Sequence, residues 1–207
     1  MIPTLMKCHE LQDRYNMMST SKIHAGKIRD ISLDLVSRLK HKGYNLDEEV
    51  MEASALLHDI TKVHQIISEA VESNDVGELN RHINLVPNSF SDIYAQMMWM
   101  RRQFALPDNV EHAESGCHLL TYLGYGEIGG IIRRHNDPIV EISERAILCY
   151  SDRIVSLDIV PLEERFRYIY RKYGDKSELY NSSKELERLL LSTAGITFEE
   201  LERMHHG

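Results

Sequence analysis

The stretch SKIHAGKIRDISLDLVSRLKHKG, Ser21 to Gly43, carries Ile28, Ile31, Leu35 and Leu39 at gaps of three and four residues. That spacing puts them on one face of an α-helix, and Gly43 is a natural stop for it. The same stripe extends back four residues to His24. An imidazole on the core-facing side of a helix has an ordinary explanation, a hydrogen-bonded core residue. The rest of the chain decides whether that explanation suffices.

Helical spacing recurs throughout. LDEEVMEASALLHD opens with Asp47 to Glu49, and negative charge is favourable in a first turn. DNVEHAESGCHLLTYLG offers an Asp108-x-x-Glu111 capping box and ends at Gly124. GEIGGIIRRHNDP predicts a short helix stopped by Pro138, and VEISERAILCYSDRIVSL predicts another. After Pro161 come LEERFRYIYRKYG, SSKELERLLLSTAG and a last short helical stretch. Val63 to Pro107 reads as the least regular region, with a polar loop ESNDVGELNRH and a helix SDIYAQMMWMRRQF. In that helix Met97, Met98, Trp99 and Met100 suit core packing, with capping of a substrate pocket as the alternative. No sustained alternation, internal repeat or low-complexity segment interrupts this pattern. The expected fold is all-α, a single domain over residues 1–207. Its core would span about residues 14–157, with residues 158–207 as a helical extension packed on it.

Composition narrows the function classes. A chain of 207 residues can bury a sizeable core, and 43% apolar with 27% charged residues is an ordinary globular balance. A net charge of −8 argues against a broad nucleic-acid-binding surface but not against a compact phosphorylated substrate. Cys8, Cys117 and Cys149 are an odd set without a CxxC, expected to be reduced core residues of a cytoplasmic protein. MIPTLMKCHELQD does not read as a signal peptide, and no apolar run approaches the roughly 18 residues that would suggest a membrane span. Eleven histidines are the oddity.

Several of them share His24's position on an apolar stripe. In ALLHDITK, Ala55 to Lys62, His58 follows Met51 and Ala55. His112 heads Gly116, Leu119 and Leu123, and His135 extends Ile128 and Ile131. Asp152 extends Ile142, Ala146 and Cys149. Asp59 stands beside His58, and an ionised aspartate facing a core without a partner is costly. Neutral imidazoles and carboxylates are the usual ligands of divalent metals, whose charge offsets that burial. Four histidines and two aspartates exceed one ordinary centre, whereas two metals bridged by an aspartate would use them all. His118 falls roughly 240° around its helix from His112, and His41 lies off the His24 stripe. His64 and His82 are secondary candidates, and His9, His205 and His206 are expected to be solvated.

The order His24, His58-Asp59, His112, His135, Asp152, in SKIHAGKIRDIS, ALLHDITK, EHAESGCHLL, IIRRHND and CYSDRIV, resembles the HD-domain metal-dependent phosphohydrolase superfamily. The resemblance covers about residues 14–157. It implies a helical bundle that binds one or two divalent metals and hydrolyses phosphoesters, mostly of nucleotides. His24, His58, Asp59 and Asp152 match the ligands shared across the superfamily. His112 and His135 match the additional ligands of its dinuclear branches, with Asp59 as the bridge. Lys62 matches a lysine that faces the substrate phosphate. The expected chemistry is attack of a metal-activated water on a phosphoester or phosphoanhydride, with Asp59 and Lys62 at the reacting centre. Iron and manganese are the first choices of metal, with magnesium, nickel, cobalt and zinc also compatible. Arg133, Arg134 and Arg153 neighbour the ligands, with solvent-facing positions as their default. Two other readings remain: a mixed-valent di-iron oxygenase on the same ligand set, and a catalytically silent metal- or ligand-binding sensor.

Overall fold

The computed structural model describes residues 1–75, 77, 81, 85–86, 88–156 and 158–205. Among them the fold is all-α, without a strand. The helices are α1 (Leu5–Arg14), α2 (Ser19–His41), α3 (Glu48–Leu57), α4 (Lys62–Glu72) and α5 (Phe90–Phe104). They continue with α6 (His112–Tyr122), α7 (Gly126–Arg133), α8 (Glu144–Ile154), α9 (Leu162–Tyr173), α10 (Ser177–Ala194) and α11 (Phe198–His205). A single antiparallel bridge, Val155 to Ile159, is the one extended pairing among the described residues.

Helix ends follow local chemistry. The Asp47 carboxylate accepts from the Glu49 and Val50 amides at 2.9 and 3.1 Å and starts α3. Gly43 and Gly124, just past α2 and α6, take φ of +93° and +89°, where a side chain would be strained. The expected Asp108–Glu111 capping box does not form. Glu111 is itself the N-cap of α6, without a side-chain cap bond, and Asp108 pairs with Arg101 instead. The helix of VEISERAILCYSDRIVSL begins only at Glu144, because the Ser143 hydroxyl caps it by accepting from the Ala146 amide.

The region read as least regular holds two helices, α4 and α5. Val63 and Ile67 of α4 pack with Met18, Ile93 and Met97 in a small second cluster. Met97 and Met100 are therefore core residues. His82 and His206 lie outside the described residues. His205, expected to be solvated, is mostly covered and faces Asp34 at 3.8 Å.

The main core is assembled around α2, which packs on α3 and α8, with α6 against α7 and α3 against α7 and α8. Ile28, Ile31, Leu35 and Leu39 are fully buried, each contributing about 1.5–3 kcal/mol. Leu162 and Phe166 of α9, Leu186 and Leu190 of α10 and Leu201 of α11 belong to the same core cluster. The C-terminal helices thus share the core instead of forming a second one. No described helix is long and apolar enough to cross a membrane. Cys8 and Cys149 are buried free thiols, and Cys117 is a partly exposed one.

Candidate metal centre

All six stripe-breaking residues converge. His24 projects from α2, His58 and Asp59 from the turn after α3, and His112 from the first residue of α6. His135 follows the end of α7 and Asp152 lies in α8. They form two adjacent triads, His24–His58–Asp152 and Asp59–His112–His135. Within each, the potential ligand atoms lie within 4.8 Å of one another, close to the spread expected around an ion with bonds of roughly 2.0–2.2 Å. The rings link the triads, with centroids 5.4 Å apart for His24–His58 and 5.5 Å for His58–His135 and for His112–His135.

The carboxylates span both groups. Asp59 Oδ1 lies 3.1 Å from His112 Nε2, and its Oδ2 lies 3.6 Å from His58 Nε2. Asp152 Oδ1 lies 2.9 Å from His24 Nε2 and 3.6 Å from His58 Nε2, with Oδ2 3.9 Å from His135 Nε2. Adjacent residues such as His58 and Asp59 would diverge inside a helix. Here α3 ends at Leu57, and the turn lets both side chains face the same space.

Outer partners fix the rings. His58 Nδ1 lies 2.8 Å from the Ala55 carbonyl and His135 Nδ1 2.5 Å from the Ile132 carbonyl. His112 Nδ1 lies 2.8 Å from Gln65 Oε1, which also accepts the His112 backbone N–H at 2.9 Å. A carbonyl oxygen only accepts, so each Nδ1 carries the proton and each neutral ring turns its Nε2 lone pair toward the carboxylates. Lone pair against carboxylate is repulsive unless a cation or proton lies between them. His58 Nε2 is fully buried without a hydrogen-bond partner, and both of its 3.6 Å neighbours are beyond ordinary hydrogen-bond reach. A donor set of imidazole nitrogens and carboxylates with outer carbonyl partners is what a divalent metal ion fits.

The charges point the same way. Burial disfavours the Asp59 carboxylate, but Lys62, His58 and His112 outweigh it and hold its pKa well below the usual range. Burial of Asp152 is likewise outweighed by the hydrogen bond to His24 and the nearby His58 imidazole, which hold its pKa well below the usual range. Burial lowers the pKa of His58, yet Asp59 and Asp152 leave it raised overall. Burial pushes His135 down to about 4 despite Asp152. Two ionised carboxylates thus stand among the imidazoles, of which burial keeps His135 neutral.

Lys62, the first residue of α4, places its ammonium 2.6 Å from Asp59 Oδ2. Its side chain is 38% exposed, so it reaches from solvent into the centre. Burial opposes its charge, and Asp59 and Asp152 more than restore it.

Further contacts hold these elements in register. Thr61 donates to the His112 carbonyl at 2.7 Å, Gln12 to the Leu56 carbonyl at 2.8 Å, and Ser32 to Ser151 Oγ at 2.9 Å. Arg153 is buried, contrary to its solvent-facing default. It donates to the Asn136 and Asp137 carbonyls at 3.2 Å, while the Cys149 thiol contacts the His135 carbonyl at 2.7 Å. Together they tether the loop that carries His135. Arg133 and Arg134 remain at the surface, paired with Glu114 and Asp137.

Gln65 is a positioning residue that the sequence did not signal, because a glutamine at helical spacing after Lys62 looks like any solvated side chain. His64 stays outside both triads. It is buried against Gln96 Oε1 at 3.2 Å, and burial lowers its pKa to about 4. With Gln65, Met97, Met100 and Arg101 it lines a cleft beside His112, so those methionines pack in the core and line a pocket at once. His118 pairs with Glu114, and His9 and His41 contact Gln12 and the Ser37 carbonyl, all away from the centre. No family model, curated protein or solved structure matches the chain.

Proposed function

We propose that the protein is a metal-dependent phosphohydrolase acting on a phosphoester or phosphoanhydride of a nucleotide or other small phosphorylated metabolite. The observation that carries this reading is the pair of adjacent His–Asp triads with a lysine ammonium at their edge. Its motifs also resemble those of HD-domain phosphohydrolases. His24, His58 and Asp152 would hold one divalent ion and His112, His135 and Asp59 the second, with Asp59 as the bridge. Bound there, such ions supply Lewis acidity that makes water nucleophilic at neutral pH and polarises phosphate oxygens.

The chain's own groups orient the rest. The Ala55, Ile132 and Gln65 carbonyl oxygens hold three imidazoles with their Nε2 atoms inward. Lys62, 2.6 Å from Asp59 Oδ2 and partly open to solvent, would offer a positive charge to an incoming phosphoryl oxygen. Phosphoryl transfer asks mainly for such positioning and charge. Iron or manganese suits this mixed shell of imidazole and carboxylate best.

Purified protein loaded with manganese or with iron, offered a panel of nucleotides and phosphate esters with and without oxygen, tests the reading. Metal-dependent phosphate release that is indifferent to oxygen is expected. Oxygen-dependent turnover would replace it with the oxygenase reading. Metal binding without turnover across the panel would favour a sensor.

A further inference from the structure

Three imidazoles of the centre are fixed from behind, but by different means. His58 and His135 each face a carbonyl three residues earlier in their own segment, Ala55 and Ile132. His112 opens α6, so no helical turn precedes it to supply such a carbonyl. Its support comes instead from α4 and from Thr61, just before that helix. Gln65 Oε1 accepts the His112 backbone N–H at 2.9 Å and lies 2.8 Å from its Nδ1. Thr61 donates to the His112 carbonyl at 2.7 Å. Every polar atom of His112 except the inward Nε2 is therefore met from Thr61 or Gln65.

The Gln65 amide is itself oriented. A backbone N–H only donates, so the amide oxygen faces His112 and the amide nitrogen is turned away from it. That nitrogen donates to Glu69 Oε1 at 2.7 Å, one turn further along α4. Reversed, the amide would set its own N–H groups against the His112 N–H. It would also make Nδ1 an acceptor and move the ring proton to Nε2, which then has no lone pair for a metal. Glu69 lies at the surface. Glu69, Gln65 and His112 thus form a line of contacts from solvent to the second triad.

We propose that Gln65 and Glu69 are positioning residues of the Asp59–His112–His135 site, and that through them α4 sets the metal affinity of that site alone. An outer partner fixes the tautomer and orientation of a metal-bound imidazole and raises its basicity. His58, in the other triad, is held from within its own segment and does not depend on them. This inference rests on the two-metal reading and goes beyond it by making the second metal separately adjustable.

Calorimetric titration of manganese into the chelator-stripped full chain tests it without turnover. The unaltered protein should take up two equivalents. Gln65→Leu should weaken one of them by about 10- to 100-fold, the usual cost of losing an outer partner of a metal-bound histidine. The other equivalent should bind as before, which serves as the control for folding. Glu69→Leu should weaken the same equivalent by about 2- to 10-fold, the worth of one hydrogen bond. Gln65→Glu combined with Glu69→Gln reverses the polarity of their contact but keeps an acceptor on His112, and should recover tight binding. Two equivalents of unaltered affinity in Gln65→Leu would overturn the inference and leave the two-metal centre standing. Failure of the exchanged pair to recover binding, or weakening of both equivalents together, would also overturn it, because Gln65 would then support the fold and not the ring. Fewer than two equivalents in the unaltered protein would refute the two-metal reading and this inference with it.

Discussion

The Lys62 ammonium and the Asp59 carboxylate meet at 2.6 Å, on the same Asp59 whose other oxygen faces His112 at 3.1 Å. One aspartate therefore joins a solvent-reaching cation to a buried imidazole cluster. The two residues should separate on mutation. Asp59→Ala removes the carboxylate of one triad, which also lies 3.6 Å from His58 of the other, and should lower metal content and turnover together. Lys62→Ala should leave metal content intact, since an ammonium is not a ligand, and weaken handling of an anionic substrate by about tenfold or more. A deficit in kcat would mean that Lys62 meets charge growing in the transition state, and one in KM that it anchors the phosphate. Unchanged kinetics in Lys62→Ala would remove it from the site.

The triads should also be separable. His112→Ala with His135→Ala strips imidazoles from one triad alone. Metal analysis of the double variant should show one equivalent lost and one retained. Loss of both equivalents, or of neither, would contradict the division into two sites.

Packing between α6 and α7 sets where His112 and His135 stand, and neighbouring glycines report on it. A Cβ on Gly129 would lie 2.9 Å from the Cys117 carbonyl oxygen, whereas one on Gly130 would meet nothing within 4 Å. Gly129→Ala should therefore cost about 1–3 kcal/mol and loosen the His112–His135 metal. Gly130→Ala, exposed in the same helix, should stabilise by up to about 1 kcal/mol. Urea unfolding of the two variants tests the pair, and similar stability in both would place the α6–α7 contact wrongly.

The four stripe histidines were legible in the sequence because each sits where an apolar side chain belongs, so periodicity alone exposed His24, His58, His112 and His135. Asp59 and Asp152 followed from the cost of burying their charge. The same logic could not find Gln65, whose spacing is that of an ordinary surface residue and whose partner His112 comes from a distant segment. It also misread Arg153, since an arginine next to a core aspartate gives no local sign of the carbonyl groups that draw it inward. Helix α4 was hidden because polar His64 and Ser68 share its buried side with Val63, Ile67 and Ala70.

Acid should expose the second buried histidine region. His64 is held neutral, its pKa pushed from 6.5 to about 4 by burial. The unfolded chain takes up that proton more readily, so stability should fall as pH drops from about 6.5 toward about 4. The full effect would be about 3 kcal/mol. His64→Gln should show a shallower fall in chelator-treated protein, read by urea unfolding at neutral pH and near pH 4.5. Parallel losses in both proteins would show that His64 does not titrate on unfolding.

The most direct test of the central claim is a manganese titration of chelator-stripped protein, read by calorimetry and checked by elemental analysis. Two equivalents should bind to the unaltered chain, and His58→Ala with Asp59→Ala should abolish high-affinity binding. No saturable binding, or binding indifferent to that double substitution, would contradict a metal centre built on these six side chains.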